Sequence, residues 1–204
     1  MQPGEPVVLL TVADPDIGLG HLYRCDALAQ ALQQFAGARV ELVVACKSGE
    51  TWLVERAPAS PYRVAAWNVD AATARSAIGA ADLLVVDSYV IDNDVWSELR
   101  ASSARLAVFD DTGEKPPFEG TLINGSPGAH LIAYPKIERQ NLLMGTDYQV
   151  LRPPFWERRE RTVRPEVRTA AIMVGGTDHQ GVAAELVRIA RSTLPDRPEI
   201  VLVG

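Results

Sequence analysis

Cysteine is scarce in this chain: Cys25 and Cys46 are the only two in 204 residues. Neither belongs to a CxxC pair, and the three histidines are too scattered to complete a zinc pattern. The spacing predicts no metal centre and no cofactor; two buried, reduced thiols in a cytoplasmic protein are expected. Long apolar runs are also missing. None approaches the roughly 20 residues that a spanning helix needs, so no membrane span is expected. The opening Met1-Gln2-Pro3-Gly4-Glu5 lacks the basic start of a signal peptide. Basic charge is in deficit, with a formal net charge of −6. That balance argues against nucleic acid as a partner, because non-specific binding depends on clustered Lys and Arg. An anionic substrate stays open, since backbone amides and a few Arg can make one pocket locally positive.

What is present is an ordinary folding chain: 47 % hydrophobic and 23 % charged residues place it among globular proteins rather than disordered ones. Its length suffices for one large α/β domain, or for one domain and part of another. Apolar runs alternate with amphipathic stretches. Strands are expected over residues 6–12, 40–45, 62–67, 82–87, 105–110 and 121–124. Helices are expected over residues 20–35, 71–80 and 92–102, with Asp92 or Asn93 as N-cap of the last. Repeated β-α-β order with near-continuous apolar strands predicts a parallel sheet covered on both faces.

Residues 125–164 read differently. They hold Pro127, Pro135, Pro153 and Pro154 and then the charged run Glu157-Arg158-Arg159-Glu160-Arg161. This stretch is expected to be irregular and to contain a domain boundary. The pattern then restarts: a strand over 169–174, a turn at Gly175-Gly176-Thr177-Asp178, a helix over 181–192 and a strand over 199–203. The expected organisation is a first domain over 1–156 and the start of a second, Rossmann-like domain over 165–204. One β-α-β unit of that size cannot close a core alone, so the chain is expected to be the front part of a longer protein.

In open parallel sheets, ligands bind outside the carboxyl ends of the strands. The first strand leads into Asp14-Pro15-Asp16-Ile17-Gly18-Leu19-Gly20-His21. The later strand ends that carry polar residues are Asp87-Ser88-Tyr89, Asp110-Asp111-Thr112 and Asn124-Gly125-Ser126. Apolar strands do not need such ends in order to fold. Gly18 and Gly20 let backbone approach a ligand and turn into the helix. His21, in the first helical turn, is a candidate base for a water or hydroxyl proton; the alternative is a ring that caps or packs. Arg24, three residues on, shares its side of the helix. It is expected to pair with Asp14, Asp16 or Asp111, or to bind a substrate oxygen. Asp87, Asp110 and Asp111 suit either orientation of His21, binding of sugar hydroxyls, or loop capping. Tyr89 and Asn124 suit sugars or turns, and Arg152 is placed at the inter-domain crossing. The Gly175-Gly176-Thr177-Asp178 turn suits a diphosphate on backbone N–H groups, or a tight turn with Asp178 as N-cap.

Several of these segments resemble one family. Gly18-Leu19-Gly20-His21-Leu22-Tyr23-Arg24-Cys25 followed by Leu28-Ala29 is similar to the GxGHxxRC…LA signature of the pseudaminic-acid pathway hydrolases and the related spore-coat polysaccharide proteins. Val86-Asp87-Ser88-Tyr89, Phe109-Asp110-Asp111, Ile123-Asn124, Gly145-Thr146-Asp147-Tyr148, Leu151-Arg152-Pro153-Pro154-Phe155 and Gly175-Gly176-Thr177-Asp178 follow in the family's order. The resemblance implies a GT-B-like architecture and hydrolysis of a UDP-linked 2,4-diacetamido-2,4,6-trideoxy sugar to UDP and free sugar. It implies inversion, no metal, His21 as the catalytic base, and the sugar in the N-terminal domain. By the same resemblance, Gly175, Gly176, Thr177 and Asp178 bind the nucleotide. Gly18, Gly20, Arg24, Asp87, Tyr89, Asp110, Asp111, Asn124 and Arg152 are the expected sugar-side residues. The expected partner is the UDP-sugar alone, with the chain a monomer in the cytoplasm. The alternatives are a glycosyltransferase of the same fold and a non-catalytic nucleotide-sugar binding module. The family's Arg-x-Asp before the glycine loop is absent, since residues 10–16 contain no Arg.

Overall fold

Strand β1 (Pro6–Val12) is the hub of the sheet. It pairs in parallel with β2 (Arg39–Ala45) on one side and with β4 (Leu83–Asp87) on the other. Its residues alternate between two cores, as a strand period of two requires. Val7 and Leu9 join one cluster, with Leu22, Cys25 and Ala29 of α1 (Gly20–Ala36). Val8, Leu10 and Val12 join the other, with Ala74 and Ile78 of α3 (Ala71–Ile78) and Val95, Trp96 and Leu99 of α4 (Asn93–Ala101). Each fully buried Leu or Val contributes about 1.5–3 kcal/mol over an exposed one. This two-faced burial is why the strands read as unbroken apolar runs.

The structure, a computed structural model, describes residues 3–102, 104–135, 140–157, 160, 162–163, 165–174, 178, 181–195 and 198–203. Short elements complete the first unit: α2 (Glu50–Val54), β3 (Tyr62–Val64), β5 (Arg105–Phe109), β6 (Gly120–Asn124) and β7 (Gln140–Met144). The seven strands lie in the order β3-β2-β1-β4-β5-β6-β7, with every pairing parallel. This is a Rossmann-like α/β arrangement, with the order reversing between β1 and β4. Among the described residues, no helix is long and apolar enough to cross a membrane.

One expectation needs correction here. Residues 125–164 are not wholly irregular, because β7 pairs with β6 from Gly120↔Gln140 to Asn124↔Met144 and forms the sheet edge. Asp92, one of the two residues expected there, is the N-cap of α4, although its side chain makes no capping bond. Farther along, β8 (Thr169–Met173) pairs in parallel with β9 (Glu199–Val203), joined by α5 (Ala183–Thr193). Leu186 and Ile189 of α5 and Leu202 and Val203 of β9 are exposed, as expected of so small a unit.

Candidate functional site

The switch point between β1 and β4 is where chemistry collects. The loop after β1 turns sharply: Gly18 has φ +85°, and its N–H donates to the Asp14 carbonyl at 2.7 Å. A side chain would be strained at that φ. The chain then enters α1, whose first turn carries His21 to the end of β4. There His21 Nδ1 lies 2.6 Å from Asp87 Oδ1. Asp87, the last residue of β4, is only 1 % exposed.

Arg24, one turn on, grips the same carboxylate side-on through one edge of its guanidinium. Its Nε donates to Asp87 Oδ2 and its Nη2 to Asp87 Oδ1, each at 2.6 Å. Its Nη1 donates to Asp111 Oδ2, also at 2.6 Å. The guanidinium stacks over the Phe109 ring, 4.5 Å from its centroid. Burial disfavours the Arg24 charge, but the hydrogen bonds and charges of Asp87 and Asp111 outweigh it and raise its pKa. Burial likewise pushes the Asp87 carboxyl up, and the bonds from Arg24 and His21 overcome this and hold it below the usual carboxylate range. An ionised Asp87 only accepts hydrogen bonds. His21 Nδ1 therefore carries a proton, and Nε2 is the remaining ring nitrogen, with no partner among the described residues.

Tyr89 closes the circuit. Its hydroxyl donates to Asp111 Oδ2 at 3.2 Å, and its ring meets the His21 ring edge-on with centroids 4.5 Å apart. Burial and the Asp111 charge push its phenol up to about 12.

These groups border an open cleft of about 500 Å³ lined by Gly20, His21, Arg24, Tyr89, Asp111 and Arg152, with Ile17, Tyr23, Gln149 and Val150. The last four were not singled out from the sequence. Gln149 and Val150 arrive because the chain after β7 stays beside the end of β6: Gly145 N–H donates to the Asn124 carbonyl at 2.8 Å, and the Tyr148–Gln149 backbone packs on Gly125. No local motif announces that placement. A 3-10 turn at Pro153–Phe155 follows, and Trp156 packs edge-on against Phe35 of α1 at 5.0 Å. A larger hollow, about 750 Å³, lies at the opposite end of the sheet beside Arg105, Gly120 and Asn141. None of the strand-end residues lines it.

The other expected residues sit elsewhere. Asp110 is buried and committed to its own loop: its carboxylate accepts the backbone N–H groups of Thr112, Gly113 and Lys115 and the Thr112 hydroxyl. Asn124 is fully buried; its amide donates to the Tyr134 hydroxyl and accepts the Ser126 N–H. Neither side chain lines the cleft. Asp14 is not a partner of Arg24, because its carboxylate accepts the backbone N–H and hydroxyl of Ser48. Arg24 pairs with Asp111, one of the expected carboxylates, and also with Asp87, a partner the helix spacing alone did not suggest. Gly175, Gly176 and Thr177 lie outside the described residues. Asp178, at φ +36°, accepts the N–H groups of Val182 and Ala183 at the start of α5.

Among the described residues, no group of three or more His, Cys, Asp or Glu side chains is arranged to hold a metal ion. Chemically, the arrangement offers an imidazole backed by a carboxylate, a partly committed guanidinium with two N–H groups to spare, and a phenol, all on one open cleft. Compared with protein-family models, curated proteins and solved structures, the chain matches none.

Proposed function

We propose that the cleft binds the sugar of a UDP-linked 2,4-diacetamido-2,4,6-trideoxy sugar and that His21 activates the water that hydrolyses it. One observation carries this reading: the Asp87-backed His21 ring on the cleft wall, its Nε2 without a partner among the described residues. The family-like glycine-loop motif supplies the substrate class. Water attacks the anomeric carbon from the face opposite the nucleotide. His21 Nε2 takes the water proton, the glycosyl carbon–oxygen bond breaks, and UDP departs with the bonding electrons, inverting the anomeric centre. Asp87 then stabilises the imidazolium through Nδ1–H, the role a buried carboxylate plays behind a catalytic histidine. On this reading Asp111 Oδ1 and the spare N–H groups of Arg24, both on the cleft, bind sugar hydroxyl or acetamido groups.

On this reading the architecture is GT-B-like. Residues 1–156 are the sugar-binding domain and residues 165–204 belong to the nucleotide-binding domain. On this reading Gly175, Gly176, Thr177 and Asp178 bind the diphosphate; Asp178 accepts the N–H groups of Val182, the N-cap residue of α5, and of Ala183. The protein works as a cytoplasmic monomer without a cofactor.

The test is proton and phosphorus NMR of UDP-2,4-diacetamido-2,4,6-trideoxy-altrose mixed with the protein, without added acceptor, beside His21→Ala. Wild type should release UDP and the inverted free sugar, and the variant should be slower by about 10²- to 10⁴-fold. Equal rates for both proteins, or no release by stoichiometric wild type, would overturn the proposal.

A further inference from the structure

Lys115 does not line the cleft, yet its ammonium is placed against a residue that does. It stands midway along the loop between β5 and β6. Asp110 fixes it there by accepting its backbone N–H at 3.2 Å, after gathering Thr112 and Gly113 on the other carboxylate oxygen. From that anchor the side chain crosses to the neighbouring loop after β4. Its Nζ donates to the Ser88 carbonyl oxygen and lies 5.6 Å from the centroid of the Tyr89 ring. Burial lowers the ammonium's pKa against the opposing pull of Asp110, Asp87, Glu114 and Asp111. No carboxylate takes a hydrogen bond from that ammonium among the described residues; a carbonyl does, and an aromatic ring lies beside it.

The ring it holds needs holding. Tyr89 is 51 % exposed. Its hydroxyl is tied to Asp111 and its ring stands against His21, so a swing of the side chain would take away both contacts. We propose that Lys115 is a positioning residue that ties the β5 loop to the β4 loop and so keeps the Tyr89 ring against His21. The inference rests on the reading of His21 as the base only for its effect on rate; the placement itself is tested without turnover. Asp110 acquires a role as well, because its carboxylate shapes the loop that presents Lys115.

The experiment is NMR of the His21 ring protons in the whole protein. Tyr89→Ala defines their shifts without the ring current of the neighbouring phenol. Lys115→Met keeps the aliphatic stem and removes the charge, Lys115→Arg restores a cation, and Lys47→Met is a control at a lysine away from the ring. The Met variant should move the His21 signals toward the Tyr89→Ala positions, and the Arg variant should bring them back. Turnover of the proposed substrate by the Met variant should fall about two- to thirty-fold, the size of one cation–π restraint, with kcat affected more than KM. His21 signals that stay at wild-type positions in a folded Lys115→Met protein overturn the inference. If the Met variant does not fold, Lys115→Gln is read in the same way. A His21→Ala protein that keeps its activity would defeat the hydrolase reading and leave the NMR result standing.

Discussion

His21, from the first turn of α1, and Asp87, from the end of β4, meet at 2.6 Å, Nδ1 to Oδ1, with the carboxylate almost wholly removed from solvent. The same carboxylate grips Arg24 through two bonds. Asp87→Asn tests how much the ring depends on this. An asparagine oxygen in the Oδ1 place still accepts from Nδ1–H and Arg24 Nη2, with its NH₂ against Arg24 Nε; in the flipped orientation the NH₂ faces His21 and Nη2. If the NH₂ faces His21, the ring proton moves to Nε2 and the base is lost. A fall in kcat of about 10²- to 10⁴-fold is expected, with KM changed far less. Wild-type kcat in this variant would show that the pair does not set the tautomer.

The same substitution has a pH signature in stability. Asp87 is held below the usual carboxylate range in the folded protein. A depressed carboxyl stabilises the fold above its unfolded pKa, near 4, and that contribution is lost as pH falls through the lower folded value. Near neutral pH, Asp87→Asn should cost about 3–5 kcal/mol in urea unfolding, because it leaves Arg24 short of its buried partner. The gap between wild type and variant should shrink steadily as the pH drops below about 4. A gap independent of pH would mean the carboxylate is not the source of the stabilisation.

Much of this geometry was legible in the residues, and the reason is physical. Strands such as β1 and β4 are buried on both faces, so their apolar runs are unbroken and their polar ends stand out. The helix period of α1 put His21 and Arg24 on one side. The identity of Arg24's main partner was not legible, since only the strand order brings Asp87 beside α1. Asp110 and Asn124 looked like ligand groups because they end strands, but their lone pairs and protons are consumed by Thr112, Gly113, Lys115, Tyr134 and Ser126. Composition does not distinguish a carboxylate facing a cleft from one facing its own loop. Strand β7 was missed because Gln140 and Asn141 are poor strand formers at an edge, where pairing to β6 outweighs propensity.

Gly125 gives a separate test of the cleft wall. A Cβ at this position would meet Gln149 Cα at 2.8 Å and the Tyr148 carbonyl oxygen at 3.0 Å. Both obstacles are backbone, so the segment carrying Gln149, Val150 and Arg152 must move. Gly125→Ala should therefore cost about 1–3 kcal/mol in stability. It should also raise KM for the proposed substrate several-fold while leaving the His21 ring signals in place. Unchanged KM and unchanged melting would show that the wall is not tied to β6 at this point.

The two cysteines should differ in reactivity, and the difference reports on the docking of α1. Cys25 is fully buried; burial and the nearby Asp87 charge push its thiol pKa well up, and its Sγ lies 3.9 Å from Asp87 Oδ2. Cys46 is only half-buried; burial and Asp14 raise its pKa too, and its thiol donates to the Gly49 carbonyl. Only the thiolate attacks a disulfide reagent, and only where the reagent can reach it. Native protein at pH 8 should therefore release one equivalent of thionitrobenzoate from Ellman's reagent, slowly and from Cys46, as Cys46→Ser would confirm by abolishing it. The second equivalent should appear only in guanidinium. Native reaction of Cys25 would mean that α1 lifts off the sheet in solution, and with it His21 would leave Asp87.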